Sequence, residues 1–445
     1  MSETLSQAPM PTTFASSLAR KRLQILALVA MSGIYFLSYF HRVAVPGTIF
    51  NQIQSDMALS ASSVTALAAI MLYTYAGVQL FVGLCADRFG GVRVLVSGGL
   101  VMAAGAILFP LCHSAPTLYF CRALTGFGAG FMYLSILREV SIMFGPRRFP
   151  MLIAMVGGVG FLGGMAATLP MERATMLISW RMALLAVGGL TLFSVLLAAG
   201  VIKKLGLPRT RGAALSLRPI GEILSNRRCW PLLVCNVINF PVYFVIQTTV
   251  GKKFLEDFGG LSSATSASMT MIMLATGGAT TLLGGFLPSW WGHRRKPVLI
   301  LGTLLVLMGV VILLTGVYCS APGSVFLAGY VVLAASSCSV PTGTTLMKEL
   351  NRPETVALAV AIPNSLCYAG VAVLANAAGL ILDLFASKAI VKSDHLIYPP
   401  AAYALLFWVL LALCGVSLIA CFMIQEAKVI GPDATADVAK MGEPI

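Results

Sequence analysis

A chain of 445 residues that is 58% hydrophobic and only 10% charged is not a soluble multi-domain enzyme, which at this length carries far more charge. Its mean hydropathy of +0.90 marks an all-α polytopic membrane protein, because a backbone in lipid must satisfy its own hydrogen bonds. The net charge of +14 gathers in short connections on one side of the apolar runs, so it reports topology and argues against a nucleic-acid partner.

The leader, 1–22, is polar and closes on Arg20-Lys21-Arg22. The apolar run after it is too long for a signal-peptide core and lacks a cleavage site, so it reads as a retained first helix. That first span, 23–50, carries an arginine. On a helix turning about 100° per residue, Tyr35, Ser38, Tyr39 and Arg42 fall on one face, polar and aromatic where the rest is lipid-like. An arginine at the bilayer centre costs at least about 2.5–3.5 kcal/mol, so it faces a protein interior or a cavity unless it snorkels to the headgroups. The apolar run resumes beyond Arg42 as VAVPGTIF, which favours the cavity.

Spans at 60–86, 93–112, 116–142, 150–172 and 179–202 complete a first six-helix bundle, 23–202. A basic linker, 203–228, leads to six more spans at 229–254, 262–290, 297–318, 322–347, 354–384 and 398–424. These form a second bundle, 229–424, followed by a polar tail, 425–445. The positive-inside rule places both termini and the linker in the cytoplasm, across a plasma membrane (an inner membrane in a Gram-negative cell). The two halves resemble repeats: Gly83-Leu-Cys-Ala-Asp87-Arg88-Phe-Gly90 after span 2 matches Gly285-Phe-Leu-Pro-Ser289-Trp290-Trp-Gly292 after span 8. The end of span 4, Leu137-Arg138-Glu139, matches Met347-Lys348-Glu349 at the end of span 10.

Several polar positions line up within the spans. In span 7, Asn236, Asn239, Tyr243 and Gln247 share a face beside Pro241; in span 11, Asn364, Tyr368, Asn376 and Asp383 do the same. Each amide either meets a substrate or bonds to a neighbouring helix. The glycines of span 5, Gly157, Gly158, Gly160, Gly163 and Gly164, form a close-packing surface. Ten cysteines stand singly, without a CxxC pair, and read as packing residues. Neither a metal or nucleophile constellation nor a phosphate-binding lysine loop is visible, so no cofactor, metal, catalytic residue or ATP-driven step is expected.

GLCADRFGGVRVL resembles the loop signature of the major facilitator superfamily, Gly-x-x-x-Asp-Arg-x-Gly followed by basic residues. With twelve spans, the linker and the degenerate second copy, the likeness covers nearly the whole chain. It implies two pseudo-symmetric six-helix bundles rocking about a midplane site. By the same resemblance Gly83, Asp87, Arg88 and Gly90 form a cytoplasmic latch in which Asp87 pairs with Arg138. Gly91-Val92 depart from the pattern where basic residues are common.

Arg122, early in span 4, matches an arginine that the superfamily often carries in that helix. Tyr39-Phe-His41-Arg42 is similar to the first-helix pattern of the organic-anion branches, the anion:cation symporters and organophosphate:phosphate exchangers. Family analogy has spans 1, 4, 7 and 10 line the cavity, which favours span 7 over span 11 for substrate contact. The resemblance therefore implies a secondary transporter of a small organic anion (a carboxylate, sugar acid or phosphate ester). Arg42 and Arg122 would grip the anion, and Tyr35, Tyr39, Asn239, Tyr243 and Gln247 would orient it.

The departures concern coupling. An acid common before the first-helix arginine is here His41, the glutamate expected after Arg122 is Ala129, and the spans hold no acid near the membrane centre. His41 can carry a coupling proton or serve structure alone. A proton, sodium or a counter-anion is the expected co-substrate, and a monomer the expected unit. Two other readings stand beside the anion carrier: an exporter of drugs or metabolites, and a non-transporting solute sensor.

Overall fold

The computed structural model describes residues 14–205, 218–258, 260–352, 356–392 and 395–426. Twelve helices long and apolar enough to cross a bilayer stand one for one on the predicted runs. Spans 1 to 6 are Arg20–Thr48, Ala61–Val82, Gly91–Leu111, Ala115–Gly145, Met151–Leu177 and Trp180–Leu205. Spans 7 to 12 are Arg227–Asp257, Ser263–Gly284, Lys296–Tyr318, Gly323–Glu349, Leu358–Leu384 and Pro400–Phe422. The fold is all-α, two six-helix bundles, with one small addition among the described residues. Between spans 11 and 12 a hairpin pairs β1, Ile390–Lys392, antiparallel with β2, His395–Ile397. The leader, the linker and the tail lie wholly or partly outside the described residues.

The repeat read from the sequence reappears in backbone geometry. Ser60 and Ser262 both cap the helix that follows, accepting from the amides of Ser63 and Thr265. Gly90 and Gly292 both take positive φ, 89° and 61°, where a side chain would be strained. Ala44–Thr48 in span 1 and Ile246–Val250 in span 7 are both π-helical stretches. All three pairs lie 202 residues apart (262 − 60, 292 − 90, 246 − 44).

Packing inside a bilayer gains little from apolar burial, so close approach of small residues carries it. Span 5 lies on span 1 through its glycines. A Cβ on Gly163 would collide with the backbone of Phe36, and one on Gly160 would sit 2.5 Å from the Tyr35 ring. The halves meet along two seams. On one, span 11 lies along span 2, where Ser365 Oγ donates to the Ala76 carbonyl at 2.7 Å and Asn364 Nδ2 to Gln79 Oε1 at 3.2 Å. On the other, span 8 crosses span 5, with Gly278 against Phe161 and Leu274 against Gly164.

Candidate functional site

Arg42 is 2% exposed and sits where the two bundles converge. Its guanidinium carbon lies 4.5 Å from the centroid of Tyr75, 4.9 Å from Tyr39, 5.5 Å from Tyr368 and 6.0 Å from Tyr35. Nη1 donates to the Tyr368 hydroxyl at 2.9 Å and Nη2 to Ser38 Oγ at 3.1 Å, whereas Nε has no hydrogen-bond partner. More rings surround this shell. Tyr133 lies on Tyr35, Phe161 and Phe244 on Tyr39, and Phe240 on Tyr368. The face Tyr35–Ser38–Tyr39–Arg42 thus acts as a unit, as its spacing predicts. Tyr368 meets the guanidinium through its hydroxyl edge, and an aromatic face near a cation stabilises it by about 0.5–2 kcal/mol without adding a carboxylate.

Span 7 contributes unevenly. Tyr243 turns its hydroxyl toward Gly277 and Ser337 of the second bundle. Gln247 is 2% exposed and both atoms of its amide lack partners, an arrangement that costs free energy unless something fills it. Asn239 is not brought to Arg42. Its Nδ2 donates to Thr303 Oγ1 of span 9 at 2.8 Å, and its Oδ1 accepts from Ser417 of span 12 at 2.7 Å. This is interhelical bonding, the other reading open to it.

The two arginines have different partners. Arg122 is also 2% exposed, but each of its three side-chain nitrogens donates to the backbone. Nε reaches the carbonyl of Leu67 at 3.1 Å, Nη1 that of His41 at 3.0 Å and Nη2 that of Val45 at 2.9 Å. The cause is local. Val45 is non-helical (φ −120°, ψ 118°) and Pro46 supplies no N–H, so carbonyls at this break need other donors. His41 is turned away from the box, with Nε2 3.0 Å from Thr191 Oγ1 on span 6.

The face remote from the termini, here the far face, is shut by contacts between the halves. Lys252 of span 7, 5% exposed, donates to the Thr48 carbonyl at 2.8 Å and pairs with Glu172 of span 5 at 2.9 Å. Within its own half it pairs with Glu256, also at 2.9 Å. Asn51 donates to Glu256 at 2.7 Å, and Gln54 to Tyr398 at 3.0 Å. Asp383 accepts from the amides of Ala61 and Ser62 at 2.9 and 3.1 Å, capping span 2 from the opposite bundle. Beneath these, the π stretches of spans 1 and 7 touch backbone to backbone. A Cβ on Gly47 would lie 2.5 Å from the Thr248 carbonyl oxygen. Toward the other face the crowding ends: Gly157, one turn from Gly160 on span 5, has nothing within 4 Å of an added Cβ.

At the predicted latch, Gly83 and Asp87 lie in the last turns of the helix Ala61–Phe89, and the side chain of Asp87 lies outside what is described. Arg88 lies over the Phe89 ring at 5.6 Å, and Gly90 ends one helix and starts the next at φ 89°. A Cβ on the following Gly91 would collide with Glu139 and approach the Arg138 Cδ to 3.3 Å, so the loop does press on the end of span 4.

Sequence reasoning missed Tyr75 and ranked Tyr368 below span 7, because spans 2 and 11 were not expected at the cavity. The available signal was the pair Tyr73 and Tyr75 beside Thr74, followed one turn on by Gln79, inside a spanning helix. It also missed the Glu172–Lys252 closure, whose members are 80 residues apart (252 − 172) at span ends where charge is ordinary.

A family profile described as Major Facilitator Superfamily matches residues 31–317. A probable sulfoacetate transporter, SauU, of Cupriavidus necator is 26% identical over 197 residues, 44% of this chain and 45% of the relative. Monocarboxylate transporter 1 of Rattus norvegicus is 28% identical over 179 residues, 38% of this chain and 35% of the relative. The match thus spans less than half the length of either curated relative. Among solved structures, a POT family transporter in complex with 5-aminolevulinic acid superposes with a TM-score of 0.74 at 12% identity, covering 91% of this chain and 97% of its own. A single-residue mutant of the nucleoside transporter NupG does so with a TM-score of 0.71 at 13% identity, covering 91% and 100%. At such identities these structures establish the fold alone.

Proposed function

This chain belongs to the Major Facilitator Superfamily and is a membrane transporter, not an enzyme, and from that premise we propose that it carries a small organic anion bound at Arg42. The observation that carries the reading is a buried guanidinium with an unpartnered Nε, ringed by four tyrosines, with no carboxylate in contact among the described residues. A desolvated cation of this kind is costly alone and is relieved by a bound anion, which a guanidinium can grip through two parallel N–H groups. Two relatives bear names of organic-anion transporters, sulfoacetate and monocarboxylate, in keeping with this cargo. Arg122 has the role of a structural staple in this reading, and Arg42 alone supplies the charge.

Transport proceeds by alternating access. The far face, read as the outside from the positive-inside pattern, is closed by Lys252, Glu172 and the paired π stretches, which leaves the opposite face as the route by which cargo reaches the box. Asp87 and Arg138 act as the latch of the other face. The test is ligand stabilisation of purified protein by carboxylates, sulfonates, phosphate esters, amino acids and hydrophobic cations, followed by uptake into proteoliposomes. An anion should raise the melting temperature of wild type and not of Arg42→Gln, with Arg42→Lys intermediate. A best ligand that is neutral or cationic, or an anion indifferent to Arg42, sinks the proposal. Binding without uptake would instead indicate a solute sensor.

A further inference from the structure

Resting on the anion reading of Arg42, we infer that the site selects a monoanion with a planar apolar body and rejects dianions. The first argument is a charge count. Arg42 brings one positive charge, and the other buried lysines and arginines among the described residues are committed elsewhere. Arg122 is held by the carbonyls of Leu67, His41 and Val45, Lys252 by Glu172 and Glu256, and Lys253 by Asp257 at 2.7 Å. A second negative charge on the cargo would find no cation to meet it.

The second argument is the wall. Around the guanidinium stand Tyr35, Tyr39, Tyr75 and Tyr368, and beyond them Phe240 and Phe244. A ring face is the negative side of an aromatic quadrupole, so it attracts the guanidinium and repels a carboxylate placed over it. The same surface favours a flat apolar or unsaturated body, which packs on ring faces and edges. Tyr243, whose ring lies against Phe244, adds a neutral hydroxyl without a partner, suited to a hydroxyl or carbonyl on the cargo and not to a second full charge. Carboxylate and sulfonate headgroups both fit; the number of charges decides.

Matched compounds test this in the full-length protein. Benzoate and benzenesulfonate are the planar monoanions, phthalate the dianion, benzamide the neutral isostere and cyclohexanecarboxylate the non-planar monoanion. Dissociation constants come from calorimetry on wild type, Arg42→Lys, Tyr75→Leu and Tyr368→Leu. We expect benzoate or benzenesulfonate to bind at least about tenfold more tightly than phthalate, about 1.4 kcal/mol, and benzamide not to bind. Tyr75→Leu and Tyr368→Leu should lose the preference for benzoate over cyclohexanecarboxylate, read as the ratio of the two dissociation constants within each variant. Phthalate bound as tightly as benzoate, with both weakened by Arg42→Lys, overturns the monoanion inference and leaves the anion site standing. Benzamide binding as well as benzoate, or no monoanion binding at all, removes both.

Discussion

Gly47→Ala offers a perturbation whose size can be worked out beforehand. The added Cβ would lie 2.5 Å from the oxygen, 2.9 Å from the carbon and 3.3 Å from the Cα of Thr248. All three are backbone atoms, so no rotamer change relieves the overlap, and the π stretches must move apart by several tenths of an ångström. Overpacking of this kind costs roughly 1–3 kcal/mol. The cost falls only on the conformation in which spans 1 and 7 touch, since they part when the far face opens. A bias of roughly 1–3 kcal/mol shifts an open–closed equilibrium by about 5- to 150-fold. The assay is alkylation of Asn51→Cys, in a cysteine-free background, by an impermeant maleimide added from the far side. Labelling of the Gly47→Ala protein should be faster by about that factor, with expression unchanged. Gly33→Ala on the same helix, where nothing lies within 4 Å of an added Cβ, controls for the propensity gain of alanine. Equal labelling of Gly47→Ala and Gly33→Ala would refute the view that this contact holds the far face shut.

Three further outcomes follow from the same geometry. Arg122→Lys exchanges a three-carbonyl fork for a point charge, so the melting temperature should fall by several degrees, about 2–3 kcal/mol, while the ligand affinity of the surviving fold is kept; weaker binding without loss of stability would return Arg122 to the binding site. Lys252→Met leaves two carboxylates uncompensated at a nearly buried interface, which costs the closed state about 3–5 kcal/mol, and far-side labelling should rise. Adding Glu172→Gln to it should restore part of the closure; additivity of the two changes would rule out the pair as a gate. His41→Gln keeps a hydrogen bond to Thr191 within reach, so uptake should retain the wild-type pH profile, and a flattened profile would assign the coupling proton to His41.

The twelve spans were legible because a bilayer imposes one length and one composition on every crossing helix. The Arg42 face was legible for a similar reason: four residues of one helix are placed by helical pitch alone. Tyr368 meets Arg42 across 326 positions of sequence, and only the packing of span 11 along span 2 brings them together. The role of Arg122 was hidden too. Its partners are carbonyls, which every residue has, and the two on span 1 lie at a break at Val45 that periodicity does not register. Pro46-Gly47 was the trace of that break, and it marked a bend without saying what would occupy it.

The matching π stretches carry a consequence for symmetry. Positions 44–48 and 246–250 are equivalent in the repeat, and in the closed far face they rest on each other. That is an isologous contact, the kind a two-fold dimer makes with itself, here contained in one chain. The two copies differ at the centre of this contact: position 47 is glycine and its counterpart, position 249, is threonine. The far gate thus has the outline of a two-fold interface that is asymmetric at its centre.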